Sequence, residues 1–295
     1  MLHPVSGPAL GTLPPRVITL GEAMARGVRQ TAQHWVTGWA AGQVAGAPVP
    51  GMAATAAAGV RDCTVRNAVF LSAGGGSVRV RLSNTFGDRP VAVDHATVAV
   101  RSQGADAVPG TMRALTFSGS ARTVLAAGGT LLSDPVALAV APLSTLLVSV
   151  FVPGATGPLT HHPFTAATNY LADGDAAPST FGGAFRSSPC WLLVSAVEVL
   201  ADARTSGTVV AFGDSITDTA RTTGDLNRRY PDRLARRLAA REGRTLSVVN
   251  AGLGGNCLLG ERTGEPHYGP SGLSRMERDI FAHSGVRAVI LLEGI

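Results

Sequence analysis

Across residues 34–200 apolar and polar positions alternate with a period of two, the signature of strands with one buried face. The clearest run is Val78-Arg79-Val80-Arg81-Leu82, with Val78, Val80 and Leu82 on one face and both arginines on the other, as a half-covered antiparallel strand requires. Gly74-Gly75-Gly76 reads as a turn before it, and residues 84–90 as a turn after it. Further strands are expected at 91–100, 114–117, 145–152 and 191–200, with Pro153-Gly154 and Gly182-Gly183 between them. Short strands, frequent turn signals and no convincing helix predict an all-β sandwich over residues 34–204.

The period changes near Arg204. Residues 208–212 are a short apolar run, as in a strand buried on both faces. A helix is expected over 230–241, with Pro231 in the first turn, where a missing N–H costs nothing. Leu234 and Leu238 share one face of it, and Arg233, Arg236, Arg237 and Arg241 read as a solvated surface. A strand at 246–249, a helix at 274–282 and a strand at 288–292 follow. This alternation opens a parallel α/β sheet over 205–295. The last strand is apolar on both faces and the sequence ends at Ile295. The sheet therefore reads as incomplete and the carboxyl end as truncated. Residues 1–33 read as a leader or tail: Pro4, Pro8, Pro14 and Pro15 interrupt them, and no charged start leads into an apolar stretch like that of a secretory signal.

Composition narrows the functional classes. The 295 residues are 45% hydrophobic and 15% charged, which excludes a disordered chain. No apolar run approaches the roughly 20 residues that span a bilayer. Net charge is +5, but all 25 basic residues are arginines spread along the chain. That points to a GC-rich coding bias, and without interleaved aromatics it gives no nucleic-acid footprint. Cys63, Cys190 and Cys257 are odd in number and far apart. A zinc site is not expected, and buried free thiols are expected over a Cys63–Cys190 bridge. No metal or cofactor is expected.

The chemistry lies in two loops. Val209-Val210-Ala211-Phe212-Gly213-Asp214-Ser215-Ile216-Thr217-Asp218 runs a strand into a tight glycine turn. That sets Ser215 at the carboxyl edge of the first parallel strand, where open α/β sheets bind ligands. A serine there serves as a nucleophile if a base takes its proton; Asp and Ser also occur there simply as caps. Val248-Val249-Asn250-Ala251-Gly252-Leu253-Gly254-Gly255-Asn256 leaves the next strand through a glycine-rich loop at the same edge. A backbone N–H there could meet an oxyanion, although such a loop alone is an ordinary strand-to-helix turn.

The G-D-S-I-T-D block, the N-A-G-L-G-G-N block and the terminal L-L-E-G-I resemble, in order and spacing, blocks I, II and III of the SGNH (GDSL) hydrolase family. The upstream region is similar to the β-sandwich that precedes this domain in one actinobacterial-type subfamily, through His34-Trp35-Val36-Thr37-Gly38-Trp39, residues 78–86 and residues 191–200. The resemblance implies an SGNH-type, flavodoxin-like parallel sheet and a serine ester hydrolase acting on a small-molecule or polymer-linked ester, such as a carbohydrate or lipid ester. It implies Ser215 as nucleophile and, through its own N–H, as oxyanion donor. Gly255 would be the second donor, Asp214 would support the turn, and Asn250 would be structural. Similar proteins are often exported.

In the family a third donor is the asparagine of G-x-N-D. Gly294-Ile295 match the G-x, and the asparagine would come next. The base and its acid come from a D-x-x-H block. Only His267 and His283 follow Ser215, with Gly264 and Ile280 three residues before them, so both read as surface histidines. Thr219-Ala220 and Tyr230 are mild departures bearing on substrate preference. A chain of these residues alone is expected to turn over little, because a serine without a base is a poor nucleophile.

A second reading is a glycan- or surface-binding β-sandwich beside a relic hydrolase domain, with Trp35, Trp39 and Trp191 as a stacking platform. Their strand positions and the 5% aromatic content favour core packing instead. An α/β-hydrolase needs G-x-S-x-G, which is absent. A phosphate loop needs a lysine, and there is none.

Overall fold

The computed structural model describes residues 33–52, 54–219 and 222–294. The expected leader, 1–33, lies outside them apart from Gln33. The chain runs through β1 (His34–Ala40), a helical turn α1 (Thr55–Ala58), β2 (Cys63–Phe70), β3 (Gly75–Ser83), β4 (Val91–Val93), β5 (His95–Val100) and β6 (Arg113–Ala114). It continues through β7 (Thr123–Leu125), β8 (Thr130–Leu132), β9 (Val136–Val140), β10 (Thr145–Val152), β11 (His161–His162), β12 (Asn169–Asp173), β13 (Arg186–Ser188), β14 (Trp191–Leu192) and β15 (Val194–Ala201). Then come β16 (Thr205–Gly213), α2 (Ser215–Asp218), α3 (Tyr230–Ala239), β17 (Thr245–Gly252), α4 (Gly272–Met276) leading into a π-helical stretch (Glu277–Phe281), and β18 (Val286–Leu292).

Eleven of the first fifteen strands form two large antiparallel sheets, and β4-β7 and β11-β14 form two small ones. One large sheet has the order β1-β15-β3-β8 with β9 also on β3, and the other β13-β12-β2-β10-β5-β6. The period-two pattern explains why they face each other. Val78, Val80 and Leu82 of β3 share one apolar core with Val197 and Val199 of β15, Val65 and Val69 of β2, and Leu146, Val148 and Val150 of β10. Each such buried side chain contributes about 1.5–3 kcal/mol. Trp39 and Trp191 belong to this core and pack edge to face, with centroids 5.0 Å apart. They are not a surface platform.

The other face of the five-stranded sheet is covered as well. Ala40 and Ala196 from it join Val210 and Phe212 of β16, Val249 and Ala251 of β17, and Ile280 in a second core. The three parallel strands take the order β17-β16-β18. A seam of hydroxyls lines this contact. The Thr37 N–H donates to Thr208 Oγ1 (3.2 Å), the Ser284 N–H to Thr37 Oγ1 (2.9 Å), and the Val248 N–H to Ser72 Oγ (3.0 Å). Arg79 and Arg81 point the same way and pair with the fully buried Glu198, which also accepts from Ser284 Oγ. The polar face of β3 is therefore polar because it meets the parallel-sheet region, not because it is fully solvated.

Several expected bounds shift for identifiable reasons. Gly75 and Gly76 belong to β3 rather than to a turn, and a Cβ on Gly75 would strike the Leu200 carbonyl. The strand expected at 191–200 breaks at Leu193, whose φ is +60°. The run at 91–100 breaks at Asp94. Only Arg113–Ala114 forms of the strand at 114–117, with a bridge from Phe117 to Ser120. Arg236 is half-buried, reaches the Asn227 carbonyl and lies over the Phe70 ring, so the arginine face of α3 is not uniformly solvated. β18 is an edge strand with Val289, Leu291 and Leu292 exposed. All three cysteines are free, and Cys63 and Cys190 are buried. Among the described residues no helix is long and apolar enough to cross a membrane.

Candidate active site

β16 ends at Gly213, and the chain turns at Asp214 into α2, whose first residue is Ser215. Asp214 caps that turn: its Oδ1 accepts the Ile216 N–H at 3.0 Å. Gly213 has no room for a side chain, since a Cβ there would meet the Leu292 carbonyl and Thr217 Oγ1. Ser215 is half-buried, and among the described residues nothing hydrogen-bonds its hydroxyl.

β17 pairs with β16 in parallel register, Gly213 opposite Gly252. The two loops therefore leave the sheet side by side. Asn250 ties them together: its Nδ2 donates to the Thr217 (2.8 Å) and Asp218 (3.2 Å) carbonyls, and its Oδ1 accepts from the Gly252 N–H (2.9 Å). The Leu253 N–H returns to the Gly213 carbonyl at 3.0 Å. Gly255 has φ +73°, and the Tyr268 ring occupies the place of its missing Cβ. Among the described residues the N–H groups of Ser215 and Gly255 donate to no protein acceptor. Both donors lie on loops that leave the same sheet edge as the Ser215 hydroxyl.

Buried charge holds this edge together. Arg275, fully buried, donates to the Gly213 carbonyl (2.9 Å), the Ala251 carbonyl (2.6 Å) and Asn256 Oδ1 (2.8 Å), and pairs with Asp279 (3.2 Å). Glu293, at the end of β18, lies 3.9 Å from Arg275, and among the described residues neither of its carboxyl oxygens has a hydrogen-bond partner. Burial raises the Glu293 carboxyl above its ordinary range; Arg275 opposes this and Asp214 adds to it. Among the described residues Asp214 Oδ2 is likewise buried without a partner. Asp218 is buried and accepts from the Gly254 N–H through Oδ2 (2.9 Å), while Oδ1 faces His162 Nε2 at 3.0 Å.

Residues 209–291 match the family model described as GDSL-like Lipase/Acylhydrolase. This segment is similar to the GDSL-like hydrolase family. No curated protein matches the chain significantly. Among solved structures the chain is similar to a family two carbohydrate esterase from Clostridium thermocellum in complex with cellohexaose, at 14% identity and TM-score 0.22, covering 77% of this chain and 57% of that one. It is also similar to a family two carbohydrate esterase from Cellvibrio japonicus, at 11% identity and TM-score 0.17, covering 74% and 53%. The chain thus spans little more than half the length of either. Scores of that size do not establish a shared fold.

Within the GDSL segment, Ser215, Asp214, Asn250 and Gly255 all lie at one sheet edge. Ile295 and Ala220 lie outside the described residues. Neither histidine after Ser215 is a plain surface residue. His267 is buried and stacks on Tyr268, with centroids 4.1 Å apart; His283 is half-buried, and desolvation lowers its pKa. Among the described residues no group of three or more His, Cys, Asp or Glu side chains is placed to hold a metal ion. Sequence reasoning missed Arg275, Asp218 and His162. The only signal was the position of Asp218 inside block I.

Proposed function

We propose that these residues carry the nucleophile and oxyanion donors of a serine ester hydrolase. The observation that carries the reading is that Ser215, whose hydroxyl and N–H are unengaged among the described residues, and Gly255, whose N–H is likewise unengaged among them, lie on adjacent loops of the parallel sheet. Ser215 Oγ would attack the ester carbonyl and lose its proton to a base. The carbonyl oxygen would become an oxyanion held by the two N–H groups, and the alcohol would leave as it is protonated. Water would then release the acid from the acyl-serine. The fold expected for such a reaction, an SGNH-type sheet behind a β-sandwich, is consistent with the antiparallel sheets and the parallel β17-β16-β18 order.

Neither His267 nor His283 hydrogen-bonds Ser215. A polypeptide of residues 1–295 alone is accordingly expected to turn over esters slowly or not at all. The substrate class is a small-molecule or polymer-linked ester, with carbohydrate and lipid esters as the family resemblance implies. The burial of Trp39 and Trp191 weighs against the alternative of a sugar-stacking module. The test is hydrolysis of p-nitrophenyl acetate by the complete gene product that contains these residues. Turnover lost in Ser215→Ala supports the reading; equal turnover in both proteins contradicts it.

A further inference from the structure

We propose that His162 is a positioning residue for the oxyanion loop, acting through Asp218; this rests on the ester-hydrolase reading of Ser215. His162 lies on β11, outside the matched segment 209–291. Its side chain is 3% exposed, and that of Asp218 is 2% exposed. His162 Nδ1 lies 2.6 Å from the Gly42 carbonyl, which can only accept, so Nδ1 carries a proton. Nε2 faces Asp218 Oδ1 at 3.0 Å, so a second proton lies between imidazole and carboxyl. The other carboxyl oxygen of Asp218 takes the Gly254 N–H at 2.9 Å.

Asp218 is thereby a strut between two parts of one site. It is the last residue of α2, whose first residue is Ser215, and it holds the residue next to Gly255. The spacing between the two oxyanion donors depends on where its carboxyl group sits. Asp218 alone would be a buried carboxylate with rotational freedom about its side chain. His162 fixes it, and the ring is itself fixed by Gly42 on one side and by Trp191, with centroids 5.2 Å apart, on another. The antiparallel region therefore supplies a support for the catalytic loops, not only a neighbour. Donors displaced from their productive position lose much of their effect on a transition state, and a misplacement of about 1 Å can cost about 100-fold.

The experiment compares wild type, His162→Ala, His162→Gln, Asp218→Ala and the His162→Ala/Asp218→Ala double variant in the complete gene product, with near-UV circular dichroism as the check on folding. With p-nitrophenyl acetate, His162→Ala should lower kcat about 10–100-fold with KM within about twofold. His162→Gln, which keeps a donor toward Asp218, should recover most of it. His162→Ala should have no further effect once Asp218 is alanine. A folded His162→Ala protein with wild-type kcat, or losses that multiply in the double variant, overturns the proposal. Should His162→Ala not fold, Asp218→Asn takes its place with the same expected kcat loss, and an unchanged kcat is again contrary. Amide exchange at Gly254 separates this proposal from the hydrolase reading. If wild type does not cleave the ester, that reading fails, while exchange at Gly254 at least about tenfold faster in the folded variant still supports the strut. Unchanged exchange overturns it.

Discussion

Arg275 Nε donates to Asn256 Oδ1 across 2.8 Å, at the residue after Gly255. The same guanidinium holds the carbonyls of Gly213 and Ala251 and lies 3.8 Å over the Phe212 ring. One buried cation thus fixes the ends of β16 and β17 and the loop between β17 and α4. Arg275→Met would remove its bonds to the Gly213 and Ala251 carbonyls and to Asn256 Oδ1, while Asp279 keeps Arg278 and the Gly213 carbonyl keeps the Leu253 N–H, and it should destabilise the protein by about 1–3 kcal/mol in urea denaturation. Arg275→Lys should not restore this, because a point charge cannot replace a planar fork of donors. A loss below about 1 kcal/mol would be contrary to this account.

Gly255 is placed by two constraints, a positive φ and the Tyr268 ring where a Cβ would lie. Gly255→Ala should move its N–H and lower kcat for p-nitrophenyl acetate about 10²–10³-fold, the usual effect of losing an oxyanion donor. Unaltered kcat in the complete gene product would show that this N–H is not used.

His161 is fully buried, and among the described residues neither ring nitrogen has a hydrogen-bond partner. Desolvation, aided by His162, lowers its pKa to about 4. The ring is therefore neutral when folded and protonates near pH 6.5 when unfolded. Stability is fully present above that pH and is lost progressively as pH falls toward 4, by on the order of 3 kcal/mol. Urea midpoints measured between pH 7 and pH 4 should fall more steeply for wild type than for His161→Leu. Parallel curves would mean that His161 does not contribute.

The strand pattern was legible because burial on one face leaves a period of two, as in Val78, Val80 and Leu82. The turn that carries Ser215 was legible because Gly213 and Ser215 follow a buried strand. The His162–Asp218 pair and the Arg275 clamp were not. Each joins residues from separate elements, and a lone His or Arg carries no mark of its eventual burial. Gly75 was misread for a related reason: a glycine needed for close approach to Leu200 looks, in sequence, like a turn glycine. Glu198 and Thr37 show the same limit, since a polar residue facing a second layer has the pattern of one facing water.

That second layer leads to another expectation. Residues 33–204 made alone would expose Ala40, Ala196, Thr37 and the buried Glu198. The fragment should lack a cooperative thermal transition, whereas residues 33–295 should have one. A sharp transition in the shorter fragment would show that the antiparallel sheets fold independently.

The central claim is that Ser215 is the reacting nucleophile, and a fluorophosphonate probe followed by peptide mapping tests it most directly. The complete gene product should acquire a single phosphonyl group on Ser215, and Ser215→Ala should acquire none. Modification at another residue, or undiminished modification of Ser215→Ala, would contradict the account.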